Sequence, residues 1–403
     1  MNASQAKYPQ LRFKGFTDPW EQRKLGDIVV FLNGRAYKQA ELLDSGKYPV
    51  LRVGNFNTND KWYYSDLELP AKNYADKGDL LYTWATAFGP HIWKGPKVIY
   101  HYHIWKVETT SDISKNFAVH LLDADQAQMT NSLNGSTMVH ITKGTMENKI
   151  VTIPGISEQR NMARLLDQLD CTIALHQRKL DLLKEQKKGY LQKMFPKNGE
   201  KVPELRFAGF ADAWEQRKLG NELTLLKDGT HGTHQNVLEG PFLLSAKNIK
   251  NGKIIIDEIT DRKISVEEYN SIHKNFSLEK GDVLLTIVGS IGETAIIENP
   301  IGITFQRSVA YLRPSHTILS QFLFTTINGQ KFQMELRKRQ VVSAQPGIYL
   351  GDLSIIPISI PSVAEQEKIG SFFKQLDETI ALHQRKLDLL KEQKKGFLQK
   401  MFV

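Results

Sequence analysis

The sequence has little of what marks a secreted or membrane-spanning protein. Its 403 residues include a single cysteine, Cys171, so no disulfide can form within the chain, which suits a reducing compartment. No uninterrupted apolar run approaches the length of a membrane span, and the N-terminal stretch MNASQAKYPQ lacks the apolar core of a signal peptide. We therefore predict a soluble, cytoplasmic protein.

Motifs of the common enzyme classes are also missing. There is no Gly-x-x-x-x-Gly-Lys phosphate loop, no nucleophile elbow and no Asn/Asp-Pro-Pro-aromatic methyltransferase motif, since Asn299-Pro300 is followed by Ile301. We predict a chain that is not itself an enzyme and that holds no cofactor or metal. The net charge of +9 fits a polyanionic partner, although many basic proteins bind no nucleic acid.

An internal repeat dominates what is present. The heptapeptide Trp-Glu-Gln-Arg-Lys-Leu-Gly at 20–26 recurs unchanged at 214–220, and segment 172–195 recurs at 379–402 with one difference, Tyr190 against Phe397. Between these flanks, segments 27–150 and 221–357 have diverged almost completely. Duplication with recombination does not by itself explain fixed flanks around differing segments. An exchangeable recognition domain in a fixed scaffold explains both.

The repeat is circular. Residues 9–16 match 203–210, and the chain ends at Met401-Phe402, where the linker between the copies would begin again. We expect the two chain ends to lie close together and the two copies to be related by a pseudo-two-fold axis.

The repeated C-terminal flank of each copy predicts a long helix. Its apolar residues are spaced alternately four and three apart from Met162 onward, which is the heptad pattern of a coiled-coil seam. A helix over 158–195 would be about 57 Å long at about 1.5 Å per residue. Since both copies lie on one chain, we expect the helices to pack antiparallel. The predicted seam residues are Leu166, Leu169, Ile173, His176, Leu180 and Leu183 in the first helix, and Phe373, Leu376, Ile380, His383, Leu387 and Leu390 in the second.

Polar residues interrupt this seam in matching places. His176 and His383, and likewise Lys187 and Lys394, either set the register of the helices at some cost in stability or are solvated edge positions. The pattern leaves both interpretations open.

These patterns predict an α+β protein with two strand-rich target recognition domains that alternate with two long helices. Runs such as 97–100, 104–107 and 282–288 have strand character. The predicted organisation is an N-terminal segment of the circular repeat at 1–16, recognition domain 1 at 17–156, the first coiled-coil helix at 157–195, a linker at 196–213, recognition domain 2 at 214–361 and the second coiled-coil helix at 362–403.

Polar residues in the loops of both variable segments have the chemistry needed to contact DNA. Arginine suits the edge of guanine in the major groove and asparagine suits adenine. For each residue the alternative is an ordinary place in a surface loop. The candidates are Arg35, Tyr37, Lys38, Arg52, Asn55, Thr86 and His101 in the first segment, and Thr230, His231, Thr233, His234, Lys247, Asn248, Ser290, Gln306 and Arg307 in the second. The histidine pairs lack the further Cys or carboxylate spacing of a zinc site.

Taken together, the ordered motifs resemble the specificity subunits of type I restriction–modification systems over essentially the whole chain. The resemblance depends on the two Trp-Glu-Gln-Arg-Lys-Leu-Gly openings, the Ile-Pro and Glu-Gln pairs before each helix, and the Gly-Asp-Leu/Val-Leu runs at 78–81 and 281–284. The segments 228–233 and 244–249 also look like motifs of a second recognition domain of this family.

The resemblance implies a DNA-binding function and a set of partners. Each variable domain would recognise one half of a bipartite, asymmetric double-stranded DNA target. The helix pair would act as a ruler between the halves and as a docking surface for two modification (methyltransferase) subunits, and restriction/translocase subunits would join that core. S-adenosylmethionine would be bound by the methyltransferase subunits, and ATP and Mg by the restriction subunits. The alternative is a coiled-coil scaffold whose two variable domains recognise proteins.

Overall fold

The structure, a computed structural model, describes residues 8–56, 59–85, 88–132, 141–197, 199–341 and 346–402. The chain forms two compact units. Unit 1 comprises Met1–Gln177 and Arg385–Val403, and unit 2 comprises Arg178–Gln384. Each unit therefore contains one variable segment and a part of each long helix.

Unit 1 is built from short strands and helices. Its strands are β1 (Glu21–Lys24), β2 (Val29–Asn33), β3 (Tyr48–Leu51), β4 (Tyr63–Ser65), β5 (Tyr74–Ala75), β6 (Leu80–Thr83), β7 (Gly89–Ile92), β8 (Val98–Tyr100), β9 (Ile104–Thr109) and β10 (Ile150–Ile153). Its helices are α1 (Leu25–Ile28), α2 (Lys115–Ser132), α3 (Lys143–Glu147) and the first part of α4 (Ile156–Lys193), together with the last part of the second long helix, from Arg385 onward.

Unit 2 repeats this order with small differences. Its strands are β11 (Glu215–Lys218), β12 (Leu223–Asp228), β13 (Phe242–Leu244), β14 (Ile249–Lys250), β15 (Lys253–Ile254), β16 (Val283–Thr286), β17 (Thr294–Ile296), β18 (Ile303–Phe305), β19 (Val309–Pro314) and β20 (Pro357–Ile360). Its helices are α5 (Val266–Ile272), α6 (Ser320–Asn328), α7 (Gln330–Lys338), α8 (Leu350–Ser354) and most of α9 (Val363–Met401), together with the last part of α4, from Arg178 onward.

The main sheet of each unit has four strands in the same order. Unit 1 has β2-β9-β6-β7 and unit 2 has β12-β19-β16-β17, all pairs antiparallel. The central strands β6 and β16 are buried along their whole length, which explains their continuous apolar runs. Each follows a turn with a left-handed glycine, Gly78 (φ 94°) or Gly281 (φ 96°). The Gly-Asp-Leu/Val-Leu runs of the sequence are thus a turn followed by a core strand.

The repeated heptapeptide begins each unit as a strand that pairs with the end of the variable segment. Glu21 pairs with Ile153 in the β1–β10 ladder, and Glu215 pairs with Ile360 in the β11–β20 ladder. Both ladders are antiparallel. Each variable segment therefore starts and ends at one two-stranded ladder directly before a long helix.

The long helices pack antiparallel in both units. In unit 1, Leu166 of α4 shares the core with Leu398 and Met401 of α9, and Lys394 Nζ lies 2.9 Å from Asp170 Oδ1. A residue near the start of one helix thus contacts the end of the other.

The same arrangement recurs in unit 2 with the helices exchanged. Tyr190 of α4 packs edge-on against Phe372 of α9 with ring centres 5.0 Å apart, and Lys187 Nζ lies 2.5 Å from Asp377 Oδ1. The antiparallel packing predicted from having both copies on one chain is confirmed in each unit.

None of the predicted seam residues is exposed. Seven are buried and five are half-buried, the latter being Ile173, His176, Leu376, Ile380 and His383. Of the polar seam positions, the two lysines are paired with aspartates of the opposite helix, which favours a role in register over a solvated edge.

The start of each long helix anchors the segment that precedes its unit's first strand. Glu158 receives two hydrogen bonds of 2.8 Å from the guanidinium of Arg12, and Glu365 receives two of 2.7 Å from Arg206. The carboxylate of Glu365 thus binds Arg206, while the Ser362 hydroxyl accepts the Glu365 amide at 3.4 Å.

The circular repeat is visible in backbone hydrogen bonds. The Leu11 amide donates to the Lys400 carbonyl in unit 1, and the Leu205 amide donates to the Lys193 carbonyl in unit 2, each at 2.9 Å. The described residues around Leu11 therefore lie beside the C-terminal end of α9, as the circular repeat predicts. Across the described part of the chain, no helix combines the length and apolar character needed to cross a bilayer.

Candidate nucleic-acid interface

Three loops meet at one edge of unit 1, and we call them the site loops. The first (residues 34–38) follows β2, the second (52–55) follows β3 and the third (101–103) follows β8. Strands β3 and β8 are parallel neighbours, so the loops at their carboxyl ends leave the sheet at the same edge.

Backbone hydrogen bonds tie the site loops of unit 1 together. The Arg35 amide donates to the Tyr100 carbonyl (3.1 Å), the Tyr102 amide to the Arg35 carbonyl (3.0 Å) and the His101 amide to the Leu51 carbonyl (2.9 Å). The first and second loops are therefore both fastened to the third.

Unit 2 has the same three loops with the same hydrogen bonds. Its site loops are residues 229–234, 245–248 and 306–308, and β13 and β18 are again parallel. The Thr230 amide donates to the Phe305 carbonyl (2.9 Å), the Arg307 amide to the Thr230 carbonyl (3.0 Å) and the Gln306 amide to the Leu244 carbonyl (2.8 Å). Arg35, His101 and Tyr102 of unit 1 thus correspond to Thr230, Gln306 and Arg307 of unit 2.

A glycine is required where the first loop crosses the third. A Cβ atom on Gly34 would lie 2.2 Å from the His101 carbonyl oxygen, and one on Gly229 would lie 2.1 Å from the Phe305 carbonyl oxygen. No side chain fits at either distance. The glycines in Asn33-Gly34-Arg35 and Asp228-Gly229-Thr230 are therefore explained by close backbone approach.

Arg35 is held by an acidic partner. Its Nη1 and Nη2 atoms donate to the two carboxylate oxygens of Glu41 at 3.0 and 2.7 Å, and its guanidinium lies 5.1 Å from the centre of the Tyr37 ring. The hydrogen bonds from Arg35 lower the pKa of Glu41. Two of the donors of Arg35 are thus already used by Glu41, while Lys38 of the same loop is exposed.

The second loop of unit 1 is shaped by an asparagine. Asn55 Oδ1 accepts the Arg52 amide at 3.0 Å, and Asn55 Nδ2 donates to the Asn59 carbonyl at 3.0 Å. The Arg52 guanidinium lies 4.3 Å from the centre of the Tyr63 ring, and its Nε atom is buried with no hydrogen-bond partner among the described residues. The side chain of Asn55 therefore holds the shape of the loop. The guanidinium of Arg52 stacks on Tyr63 and keeps at least one N–H donor without a partner among the described residues.

An aromatic cluster surrounds the third loop of unit 1. The ring of His101 lies 4.3 Å from that of Tyr102 and 4.9 Å from that of His103. Burial, together with the nearby His103 and Arg52, lowers the pKa of His101 to about 4, so its ring is neutral near pH 7.

The sequence did not single out Trp84, which belongs to this cluster. Its indole N–H donates to the Tyr102 carbonyl at 2.9 Å, and its ring stacks on Trp105 with centres 5.7 Å apart. In the sequence, Trp84 could have been noticed because it directly follows the apolar run that forms strand β6. The predicted residue Thr86 lies outside the described residues.

The first loop of unit 2 forms a chain of side-chain hydrogen bonds. The Thr230 hydroxyl lies 2.8 Å from His234 Nε2, and His234 Nδ1 lies 3.3 Å from Glu268. His231 Nε2 lies 2.6 Å from Asp228 Oδ2. Three of the four predicted residues here are therefore bonded to neighbours, and Thr233 is exposed.

Lys247 and Asn248 both contact Asp261 in the second loop of unit 2. Lys247 Nζ lies 2.7 Å from Asp261 Oδ1, and Asn248 Nδ2 donates to Asp261 Oδ2 at 2.7 Å. Asn248 Oδ1 also accepts the Ser245 amide at 3.0 Å, as Asn55 does for Arg52 in unit 1. Asn248 is only 3% exposed, which leaves it little contact with solvent.

The remaining predicted residues of unit 2 lie at its surface. Arg307 and Ser290 are exposed and Gln306 is half-buried. Gln306 and Arg307 stand on the third loop beside Thr230, whereas Ser290 belongs to the separate turn after β16. The structure therefore groups most of the predicted residues of each unit on its site loops.

Comparison with known proteins agrees with this repeated architecture. The family profile described as "Type I restriction modification DNA specificity domain" matches twice, at residues 17–185 and 214–392. The MjaVIII specificity subunit of a type I restriction enzyme from Methanocaldococcus jannaschii is 24% identical over 94% of this chain and 91% of its own length. The EcoBI specificity subunit from Escherichia coli is 24% identical over 89% of this chain and 79% of its own length.

Solved structures share the fold. The S subunit of a type I restriction–modification system from M. genitalium superposes with a TM-score of 0.64 at 15% identity, covering 98% of this chain and 99% of that one. A chain from a structure titled for complex assembly and conformational transition of the type I R-M system gives a TM-score of 0.53 at 15% identity, with 95% and 97% covered.

The fold and the site loops define a class of protein with two copies of one loop-bearing domain, each joined to a shared pair of antiparallel helices. Both domains match one family profile over most of their length, and the chain belongs to the type I restriction–modification DNA specificity family.

Proposed function

We propose that this chain is the non-catalytic, sequence-specific DNA-binding subunit of a type I restriction–modification complex. In this proposal, the site loops of each unit bind one half of a bipartite, asymmetric target. One observation carries it: both units have the same backbone frame around three loops, while the side chains on that frame differ. Two domains that recognise two different half-target sequences require this combination of a fixed backbone frame and different side chains.

The side chains around the loops are suited to DNA. Unit 1 offers Arg52, stacked on Tyr63, and unit 2 offers Arg307 and Gln306 at the third loop. Arginine and glutamine both have side chains that pair with base edges in the major groove. The net charge of +9 favours a polyanionic ligand.

Domain exchange tests the proposal directly. Residues 221–357 are replaced by the corresponding segment of another specificity subunit, and the DNA methylated in a host expressing the complex is sequenced. We expect one half of the recognised motif to change and the other half to stay the same. A change in both halves, or in neither, would contradict the assignment of one half-target to each unit.

A protein-recognition scaffold is the second candidate, and DNA binding separates the two. The purified complex is titrated with duplexes that carry or lack the methylated motif, at several salt concentrations. For a specificity subunit we expect tighter binding to the motif, with affinity falling as salt rises. If no concentration of salt reveals a sequence preference, the scaffold is the better description.

The helix pair is proposed to dock two modification subunits. Leu175 and Leu389 are 63% and 60% exposed in unit 1, and Leu182 and Leu382 are 52% and 64% exposed in unit 2. The Asp170–Lys394 and Lys187–Asp377 pairings set a register that puts the two leucines of each unit at the same level. Two equivalent apolar pairs suit two copies of one partner.

Charged substitutions test this docking surface one unit at a time. Leu175→Lys with Leu389→Lys is expected to leave a complex with one modification subunit instead of two, measured by the mass of the purified assembly. Ala174→Lys is the matched control, since Ala174 is exposed on the same helix and carries no large apolar side chain. An unchanged mass for the leucine variant would exclude these residues from the interface.

The proposal places the remaining chemistry in partner subunits. S-adenosylmethionine would bind the modification subunits, and ATP and Mg would bind the restriction subunits. The complex would act on DNA in the cytoplasm.

A further inference from the structure

Recognition of a base edge requires a side chain whose donors and acceptors are not already used within the protein. Most of the polar residues on the site loops of unit 2 meet this requirement only in part, because they already bond to neighbours. The residues with such internal partners are Thr230, His231, His234, Lys247 and Asn248.

Arg307 differs from all of them. Its side chain is exposed and makes no hydrogen bond or ion pair with any residue that the structure describes. None of the five N–H donors of its guanidinium is therefore used by a described residue.

The backbone that carries Arg307 is fixed on both sides. Its own amide donates to the Thr230 carbonyl at 3.0 Å, the preceding Gln306 amide donates to Leu244 at 2.8 Å, and the Val309 amide donates to Gln306 at 3.1 Å. A free side chain on a rigid turn loses little backbone entropy on binding, which favours selective contact.

The corresponding position in unit 1 has a different chemistry. Tyr102 occupies it and is 39% exposed. A phenol has one hydroxyl and offers no pair of parallel donors, whereas a guanidinium can donate to O6 and N7 of one guanine together. We therefore expect the residue at the tip of the third loop to give the two units different base preferences.

We propose that Arg307 reads a guanine in the half-target bound by unit 2. This inference rests on the DNA-recognition function proposed above. In it, Arg307 selects one G·C pair through two hydrogen bonds to the base edge, while the bonded residues around it hold the loops in place.

The test uses the complete methyltransferase complex with wild-type, Arg307→Lys and Arg307→Gln chains. Lysine retains the positive charge but loses the paired donors, and glutamine loses both. The methylated motif is determined by sequencing, and methylation rates are measured on duplexes in which each base pair of the target is replaced in turn.

Both variants are expected to lose discrimination at one G·C position by about 10- to 100-fold, with every other position of the motif unchanged. Arg337→Gln is the matched control, because Arg337 is an exposed arginine on α7 and not on a site loop. It removes the same charge and should leave the motif intact.

Two results would overturn the inference. The first is a motif that stays identical in both Arg307 variants. The second is uniformly weaker binding of Arg307→Gln with normal behaviour of Arg307→Lys, which is the signature of a phosphate contact. If the wild-type complex itself methylates no bipartite motif, the proposed function fails instead. Matching thermal unfolding of the variants and the wild type checks that the fold is intact.

Discussion

The buried Arg206–Glu365 pair provides a sharp test of how the repeated flanks hold unit 2 together. Arg206 Nε and Nη2 donate to the two oxygens of Glu365 at 2.7 Å each, and the two side chains are only 11% and 1% exposed. The pair joins the segment before β11 to the first turn of α9. The change we propose is Glu365→Gln, which preserves the shape of the side chain and removes its charge.

The expected loss follows from burial. Removing one partner of a buried ion pair leaves the other charge without compensation, which costs about 3–5 kcal/mol. In a unit of this size, 1 kcal/mol lowers the melting temperature by about 2–4 °C. Glu365→Gln should therefore lower the melting temperature of unit 2 by about 6–20 °C, measured by calorimetry on the full chain and checked by urea unfolding.

Two further variants give this expectation its controls. Glu367→Gln removes an exposed carboxylate from the same turn of α9 and should change the melting temperature little. The double variant Arg206→Met with Glu365→Gln removes both charges, and we expect it to lose less stability than the sum of the single changes. If Glu365→Gln melts like Glu367→Gln, or if the losses simply add, the reasoning from a buried charge pair is wrong.

Three other changes should have separable effects. Burial alone would lower the pKa of Lys394, but its hydrogen bonds and attraction to Asp123 and Asp170 outweigh burial and raise the pKa. The stability that Lys394 contributes should thus be complete below the unfolded-state pKa of about 10.4 and be lost as pH rises through the folded pKa. The difference in unfolding free energy between wild type and Lys394→Met should therefore narrow in unfolding curves measured at alkaline pH. Gly229→Ala places a Cβ 2.1 Å from a carbonyl oxygen and should cost about 1–3 kcal/mol in urea unfolding, whereas Gly351→Ala, with open space around it, should not. Deleting one heptad from both α4 and α9 should change the spacing between the half-targets or abolish assembly. If sequencing of the methylated DNA returns the original spacing, the helix pair does not set the distance between the half-targets.

The helical part of the fold could be predicted from sequence because its signal is local. The heptad positions of α4 and α9 repeat every three or four residues, and burial follows that period from Leu166 onward. The antiparallel direction followed from having both copies on one chain. The role of Lys187 and Lys394 stayed open in the sequence, because their aspartate partners lie on the opposite helix and are far away along the chain.

The roles of single site residues could not be predicted in the same way. Asn248 has the chemistry to read adenine, yet its side chain is buried between the Ser245 amide and Asp261. That arrangement depends on a carboxylate 13 positions further along the chain. Arg35 likewise is bonded to Glu41, which lies in the 3₁₀ turn at Gln39–Glu41. The polar residues seen in the sequence therefore indicate which loops form the candidate DNA-binding surface. They do not show which of these residues shape the loops and which face outward.

The construction of the site loops explains why the variable segments can diverge between fixed flanks. The hydrogen bonds that fasten the three loops join backbone atoms, so they do not depend on which side chains are present. Gly34 and Gly229 are exceptions, because the backbone approaches too closely for any Cβ, and so are Asn55 and Asn248, whose side chains accept backbone amides of the second loop. The outward positions can then change freely, as from Tyr102 to Arg307, without moving the frame. A domain built in this way can acquire a new target by substitution at few positions, which is why a change confined to Arg307 is expected to alter one base of the motif and leave the loops in place.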